Sequence, residues 1–344
     1  MPPSDGTDRL NGGGRWSPDA PPPSPKVHHR ASPALWLGIA LLFVSLALTL
    51  VVGPVATGQA TLNGLVSAGY FALGAVGLTL IYGVIRLINF AHGDLLTFGM
   101  YLTLGTAAAG VPFWSAVVLA MVATALVAVL LDRIIWEPMR RAQTSTLQLF
   151  LVATGLALVL RYSVQFFAGS QVRAVGLDTT SSVGLGPWHL GSLQLLVMLV
   201  GLATIVLTGL FLRHTRLGKE MRAVADNMSL AEVTGIDTRR TIRATWLIAG
   251  ALAALAGILY AASIGSINPN FGFTILLSLF AAAVLGGIGN AYGALAGGIV
   301  IGLSQEWATL FVNPRWKPAV GFAILVLTLL LMPRGIFGRK RARL

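Results

Sequence analysis

Few residues in this chain have side chains able to do chemistry, and most of those stand alone in apolar surroundings. Asn89, His92 and Asp94 close the stretch from Gly77 to Asp94, where an apolar run breaks into a short polar segment before becoming apolar again at Leu95. His92 has no second His or Cys near it, and no His-Glu-x-x-His pattern occurs, so no metal site is expected. The absence of cysteine excludes disulfides, thiolate metal sites and a Cys nucleophile. No phosphate-binding Gly-x-x-x-x-Gly-Lys-[Ser/Thr] is present, because Gly218-Lys219-Glu220 lacks both the spacing and the hydroxyl. Arg161 and Glu306 are the ionisable residues deepest in apolar runs, and a charge is costly to bury in lipid, which makes both functional candidates.

The elements that must position these residues follow from composition. Of 344 residues, 55% are hydrophobic and only 10% charged, and the mean hydropathy of +0.78 lies outside the range of soluble globular domains. The chain therefore reads as an all-α integral membrane protein. Its net charge of +12 does not indicate nucleic acid, because Lys and Arg cluster in short loops and tails between apolar runs. Apolar runs occur at about 34–56, 60–83, 94–110, 113–131, 147–168, 191–212, 244–263, 274–289, 291–311 and 318–333, which predicts about ten transmembrane helices. Several are short for the bilayer, notably 94–110, 274–289 and 318–333, as expected of broken or re-entrant segments.

Residues 1–33, rich in Gly, Pro, Ser and Asp, are expected to form a disordered cytosolic tail, residues 34–333 the membrane domain, and 334–344 a basic cytosolic tail. With ten spans and a cytosolic N-terminus, 20 Lys and Arg lie inside, three lie outside (Arg173, Arg315, Lys317) and Arg161 lies within a span. That asymmetry obeys the positive-inside rule. Spans at 60–168 begin outside and those at 244–333 begin inside, so two groups of four have the orientation of an inverted repeat.

This topology sets expectations for the polar residues. Asn89, His92 and Asp94 fall at the cytosolic edge, in a turn suited to gating or packing; the alternative to such a role is an interfacial loop in which Arg86 and Asp94 pair and His92 meets headgroups or water. Counted from the inside ends at ~1.5 Å per residue, Arg161 and Glu306 lie at about 21 and 22 Å, close enough in depth to pair or to share a polar outer vestibule. The alternative is that each snorkels separately to the outer interface. Gly289, Gly293 and Gly297, four apart, are expected on one face of a helix where they permit close packing, with Asn290 marking a hairpin.

The inside loop from Arg213 to Arg243 carries Met221, Val224, Met228, Ala231 and Val233 at spacings that give short helices an apolar side. Asn227 and Ser229 suit a turn or cap, and Gly235 a helix end, so a helix-turn-helix on the cytosolic face is expected. Such a compact, apolar-anchored element suits a loop that receives force from a soluble partner; the alternative is a positive-inside anchor with incidental helicity.

Four segments resemble the permease subunits of branched-chain amino acid ABC importers, of the type serving high-affinity leucine, isoleucine and valine uptake. They are Ile88-Asn89-Phe90-Ala91-His92-Gly93-Asp94; the loop Thr215 to Gly235 with Met221-Arg222-Ala223-Val224-Ala225-Asp226-Asn227; Leu285-Gly286-Gly287-Ile288-Gly289-Asn290; and the closing Met332-Pro333-Arg334-Gly335-Ile336-Phe337-Gly338. The resemblance implies one permease half of an importer, with no ATPase and no cofactor of its own. ATP would be hydrolysed by two cytosolic partner subunits, the solute delivered by an extracytoplasmic binding protein, and the path completed by a second permease subunit in a bacterial-type cytoplasmic (inner) membrane. It further implies that the 213–243 loop couples to the ATPase through Gly218, Arg222, Asp226, Asn227, Ala231, Glu232 and Gly235. Here the pattern Ala231-Glu232-Val233-Thr234-Gly235 follows Leu230, where the family usually has an acidic-Ala-Ala opening. Asn89, His92, Asp94, Arg161 and Glu306 are the gating or pathway candidates. Urea or a short amide is an alternative solute, and an ion-coupled secondary transporter is the alternative of another class.

Overall fold

The computed structural model describes residues 33–86, 89–177 and 181–338. The expected N-terminal tail and the end of the basic C-terminal segment lie outside the described residues. Near-continuous apolar sequence leaves backbone hydrogen bonding within helices as the only way to bury each segment. The chain runs through α1 (Pro33–Val52), α2 (Pro54–Ile85), α3 (Ala91–Ala108), α4 (Phe113–Leu131), a π-helical turn (Asp132–Trp136), α5 (Glu137–Arg141) and α6 (Thr146–Ala168). Two strands, β1 (Arg173–Ala174) and β2 (Ser182–Leu185), and a third, β3 (Trp188–Gly191), lead into α7 (Ser192–His214), α8 (Arg216–Asp226), α9 (Met228–Val233) and α10 (Thr238–Ile264). After β4 (Ser266–Ile267) come α11 (Phe271–Gly286), α12 (Ala291–Ala308), a 3-10 turn at Pro314–Trp316 and α13 (Lys317–Leu331).

Local chemistry sets the boundaries. Gly53, at φ 100°, turns the chain before Pro54 opens α2, where its missing N–H costs nothing. Ser145 and Gln148 form a reciprocal capping box at α6, and Asp237 accepts from the Arg240 N–H to start α10. The antiparallel β2–β3 hairpin, with Leu185 opposite Trp188, marks one end of the bundle. Helices α8 and α9 mark the other.

Each of the ten expected apolar ranges holds a helix, and length and hydropathy together sort them. Seven segments are long and apolar enough to cross a membrane: α1, α2, Phe113–Arg141, α6, α7, α10 and Pro314–Leu331. The other three, α3, α11 and α12, have 18, 16 and 18 residues. The reason for two of them is visible in the packing. The N-terminal turn of α3 lies beside Gly74 of α2, eleven residues before α2 ends at Ile85, so α3 begins roughly 16 Å inside the bundle. Helix α11 begins against the same turn of α3, with a Cβ on Gly272 meeting the Gly93 carbonyl.

The helix pairings repeat. Helix α2 packs on α12 as α10 packs on α4; α3 lies against α4 and α6 as α11 lies against α12 and α13; and α2–α10 and α3–α11 meet across the centre. Two four-helix groups of opposite direction thus interlock, the arrangement of an inverted repeat. The centre is formed by α2 and α10, apolar on all sides and mostly buried, whereas α1, α6, α7 and α13 present large exposed apolar residues such as Leu50, Phe167, Leu207 and Leu330.

Candidate functional site

The crossing of α3 and α11 buries the polar residues that the sequence singled out. Asn89 and His92 are buried, Asn89 accepting from the Ala91 N–H at 3.1 Å and His92 Nε2 lying 3.0 Å from the Gly74 carbonyl oxygen. Asp94, 1% exposed, is held by Arg161 of α6 in a two-pronged pair, Nε to Oδ1 at 3.0 Å and Nη2 to Oδ2 at 3.1 Å. The planar fork of arginine matches the carboxylate, and its guanidinium also lies 4.5 Å from the centre of the Phe273 ring on α11. Thr97 Oγ1 accepts from the Gly272 N–H at 3.0 Å, tying α3 to α11 where no side chain could fit between them.

Three expectations are corrected here. The Asn89–Asp94 segment is not an interfacial turn, because its polar end folds against the middle of α2. Arg86 does not pair with Asp94; it donates from Nη2 to the Ala225 carbonyl of α8 at 2.8 Å. Arg161 does not pair with Glu306, nor does it line the cavity beside Glu306. Depth counting fails for Asp94 because α3 starts inside the bundle, which brings that carboxylate to the level of Arg161.

Glu306 occupies a second polar centre, toward the hairpin end. Its Oε1 accepts from Ser67 Oγ at 3.0 Å and from Lys317 Nζ at 2.6 Å, and Tyr70 donates to Ser67 Oγ at 2.8 Å. Nearby, Gln305 Nε2 donates to Ser278 Oγ at 2.8 Å, joining α12 to α11. Sequence reading missed Ser67, Tyr70, Ser278, Gln305 and Lys317. The available signal was Ser67 and Tyr70, three apart on one helix face that is otherwise apolar, together with an isolated cation at the start of α13.

At the opposite end the quoted segments converge. Helix α8 is capped by Thr215, whose Oγ1 accepts from the Gly218 N–H at 3.0 Å, and α9 by Asn227, whose Oδ1 accepts from the Leu230 N–H at 3.0 Å. Gly218 lies so close to the backbone of Phe211 and Leu212 that a Cβ there would collide, which explains glycine at the α7–α8 corner. Arg222 Nη1 donates to the Leu212 carbonyl at 2.6 Å and to Tyr292 Oη of α12 at 2.9 Å. Gly83 of α2 lies against both Ala225 and Gly289. Met221, Val224 and Ala231 face inward, whereas Leu230 and Val233 are exposed; Glu232 accepts from Thr238 at 2.8 Å; and Gly235 turns the chain at φ 86°. Asp226 ends α8.

The glycine expectation is corrected in part. Gly293 and Gly297 lie on α12 and pack against the backbone of Gly286 and Ala282 of α11, but Gly289 precedes the helix, at φ 88°, in the turn that Asn290 caps. The closing segment folds onto this turn, with the Ile336 N–H donating to the Leu285 carbonyl at 2.8 Å and Asn290 Nδ2 to the Phe337 carbonyl at 3.3 Å.

Interlocked helix groups, short helices meeting at a buried polar centre and a surface helix pair at one end define a multi-pass membrane permease. The chain belongs to the family described as branched-chain amino acid transport system / permease component, which matches residues 60–329. Among its relatives is the high-affinity branched-chain amino acid transport system permease protein LivH of Escherichia coli strain K12, 33% identical over 82% of this chain and 95% of that one. BraD, a protein of the same description from Pseudomonas aeruginosa, is 30% identical over 82% and 95%. A probable branched-chain amino acid transport permease LivH of Methanocaldococcus jannaschii is 30% identical over 80% and 91%.

Proposed function

We propose that this chain is the permease subunit of an ATP-driven importer that carries branched-chain, or similarly hydrophobic, amino acids into the cytoplasm. It works with a second permease subunit, two cytosolic ATPase subunits and an extracytoplasmic binding protein. The observation that carries the reading is the α8–α9 pair: its inner side is fastened to α2, α7 and α12 through Arg86, Arg222 and Gly83, while Leu230 and Val233 remain exposed at its outer side. An ATPase that grips that outer side moves three helices at once. Because Gly83 abuts Gly289, the motion passes into the α11–α12 turn, and rigid rocking of one helix group against the other opens the path inward.

Charge supports the orientation. Arg133, Arg140, Arg141, Arg213, Arg216, Lys219, Arg239, Arg240 and Arg243 crowd the α8–α9 end, against Arg173, Arg315 and Lys317 at the hairpin end, which makes the α8–α9 end cytosolic. The same asymmetry supports cytosolic termini, and the inner-membrane location rests on the family and not on charge.

Uptake of labelled leucine, urea and short amides by proteoliposomes holding the whole complex tests the solute class. Leucine accumulates and is displaced by isoleucine and valine but not by urea or acetamide. Transport of urea or an amide in preference to leucine would replace this solute by the polar alternative.

A further inference from the structure

The cavity beside Glu306 has the chemistry of an amino-acid site. It measures about 570 Å³ and lies among α2, α10, α11, α12 and the start of α13. Its charged groups are of both signs: Glu306 from α12, and Arg315 and Lys317 from the segment entering α13. Both protein hydrogen bonds to the Glu306 carboxylate fall on one oxygen, Oε1, so Oε2 keeps its acceptor capacity among the described residues. Aromatic residues line the same cavity, Tyr260 lying 5.1 Å from Tyr70 and 5.3 Å from Phe271 between ring centres.

We propose that this cavity is a solute subsite that recognises the zwitterion of a hydrophobic α-amino acid. The solute ammonium binds Glu306, its carboxylate binds Lys317 with Arg315, and its aliphatic side chain lies against Tyr260 and Phe271. The inference rests on the importer reading above and adds to it the site. Without solute, Glu306 and Lys317 neutralise each other at 2.6 Å; an entering zwitterion replaces one internal pair with two, so no buried charge is left unpaired at any stage. A neutral polar solute leaves the pair closed, and a solute with a single charge would strand one member of it. Since Lys317 begins α13 and Glu306 is near the end of α12, opening the pair also releases α13 from α12 at the hairpin end.

The lack of native cysteine gives a clean test. Ser263 lines the cavity, and S263C, placed in the assembled permease–ATPase complex in proteoliposomes, can be labelled by a membrane-impermeant thiol reagent added at the extracytoplasmic face. Leucine at about ten times its Kd slows labelling roughly tenfold. At the same concentration 4-methylpentanoate, which lacks the ammonium, and 3-methylbutylamine, which lacks the carboxylate, give no protection. E306Q in the S263C background removes the protection by leucine, read as the ratio of labelling rates with and without leucine within that variant, and K317Q provides the same test should E306Q fail to assemble. Wild-type uptake is measured in parallel. If wild type carries leucine in an ATP-dependent manner but S263C is not labelled, or is labelled at a rate indifferent to leucine, or is protected equally by the two analogues, the subsite proposal is overturned. If wild type carries no leucine at all, the importer reading itself falls.

Discussion

Removing the Arg161 guanidinium would strand the Asp94 carboxylate, 1% exposed, with no other cation bonded to it among the described residues. Breaking one partner of such a pair costs about 3–5 kcal/mol, whereas removing both at once leaves no orphan charge. R161M and D94N are each expected to lower the thermal unfolding midpoint of the purified protein strongly, and the double variant to recover much of the loss, with a coupling of roughly 1–3 kcal/mol. Additive losses would show that the pair contributes nothing as a pair. Both residues were legible in the sequence as candidates, since each is charged within or beside an apolar run. Their partnership was not, because residue counting assumes that every helix starts at the membrane surface, and α3 starts inside. The same assumption aligned Arg161 with Glu306, whose real partner, Lys317, comes from the next helix in the chain. Ser67 and Tyr70 escaped notice because a hydroxyl in an apolar helix is unremarkable until a carboxylate is seen beside it.

Among the elements, α8 is anchored by buried Met221 and Val224 and, separately, by an arginine at the edge of the core. Its residue Arg222 reaches both the end of α7 and Tyr292 on α12, yet it is only partly buried. R222A is expected to leave ATP hydrolysis by the complex within about twofold of wild type while leucine uptake falls roughly tenfold or more, a loss of over ~1.4 kcal/mol in coupling. Parallel loss of both activities would instead mean that Arg222 serves only assembly. Here sequence reading did well, because caps and apolar anchors are local signals: Asn227, Gly235, Met221, Val224 and Ala231 fall where spacing put them. Met228 and Val233, counted with the anchors, turn outward instead, since a helix as short as Met228–Val233 has room for only one inward row. Of the ten apolar ranges, seven hold a described helix both long and apolar enough to cross a membrane. Hydropathy finds apolar segments but not where they begin, and α3 and α11 are short because their first turns meet each other inside the bundle.

For the whole molecule, the inverted pairing of α2–α3–α4–α6 with α10–α11–α12–α13 was visible in the sequence only as opposite orientation, since the two groups share too little sequence to align by eye. Packing reveals the relation through matched contacts, and polar residues bridge the two groups where α3 meets α11 and where α2 meets α12, the seams that move under the proposed rocking. The central claim is that this movement is driven by ATP hydrolysed outside the chain. It is tested most directly by leucine uptake into proteoliposomes containing the permease pair, the ATPases and the binding protein, with and without internal ATP, and with ion gradients collapsed by ionophores. Uptake that requires ATP, persists without ion gradients and disappears when the ATPases are omitted is the predicted result. Uptake by this chain alone, driven by an ion gradient and indifferent to ATP, would contradict it.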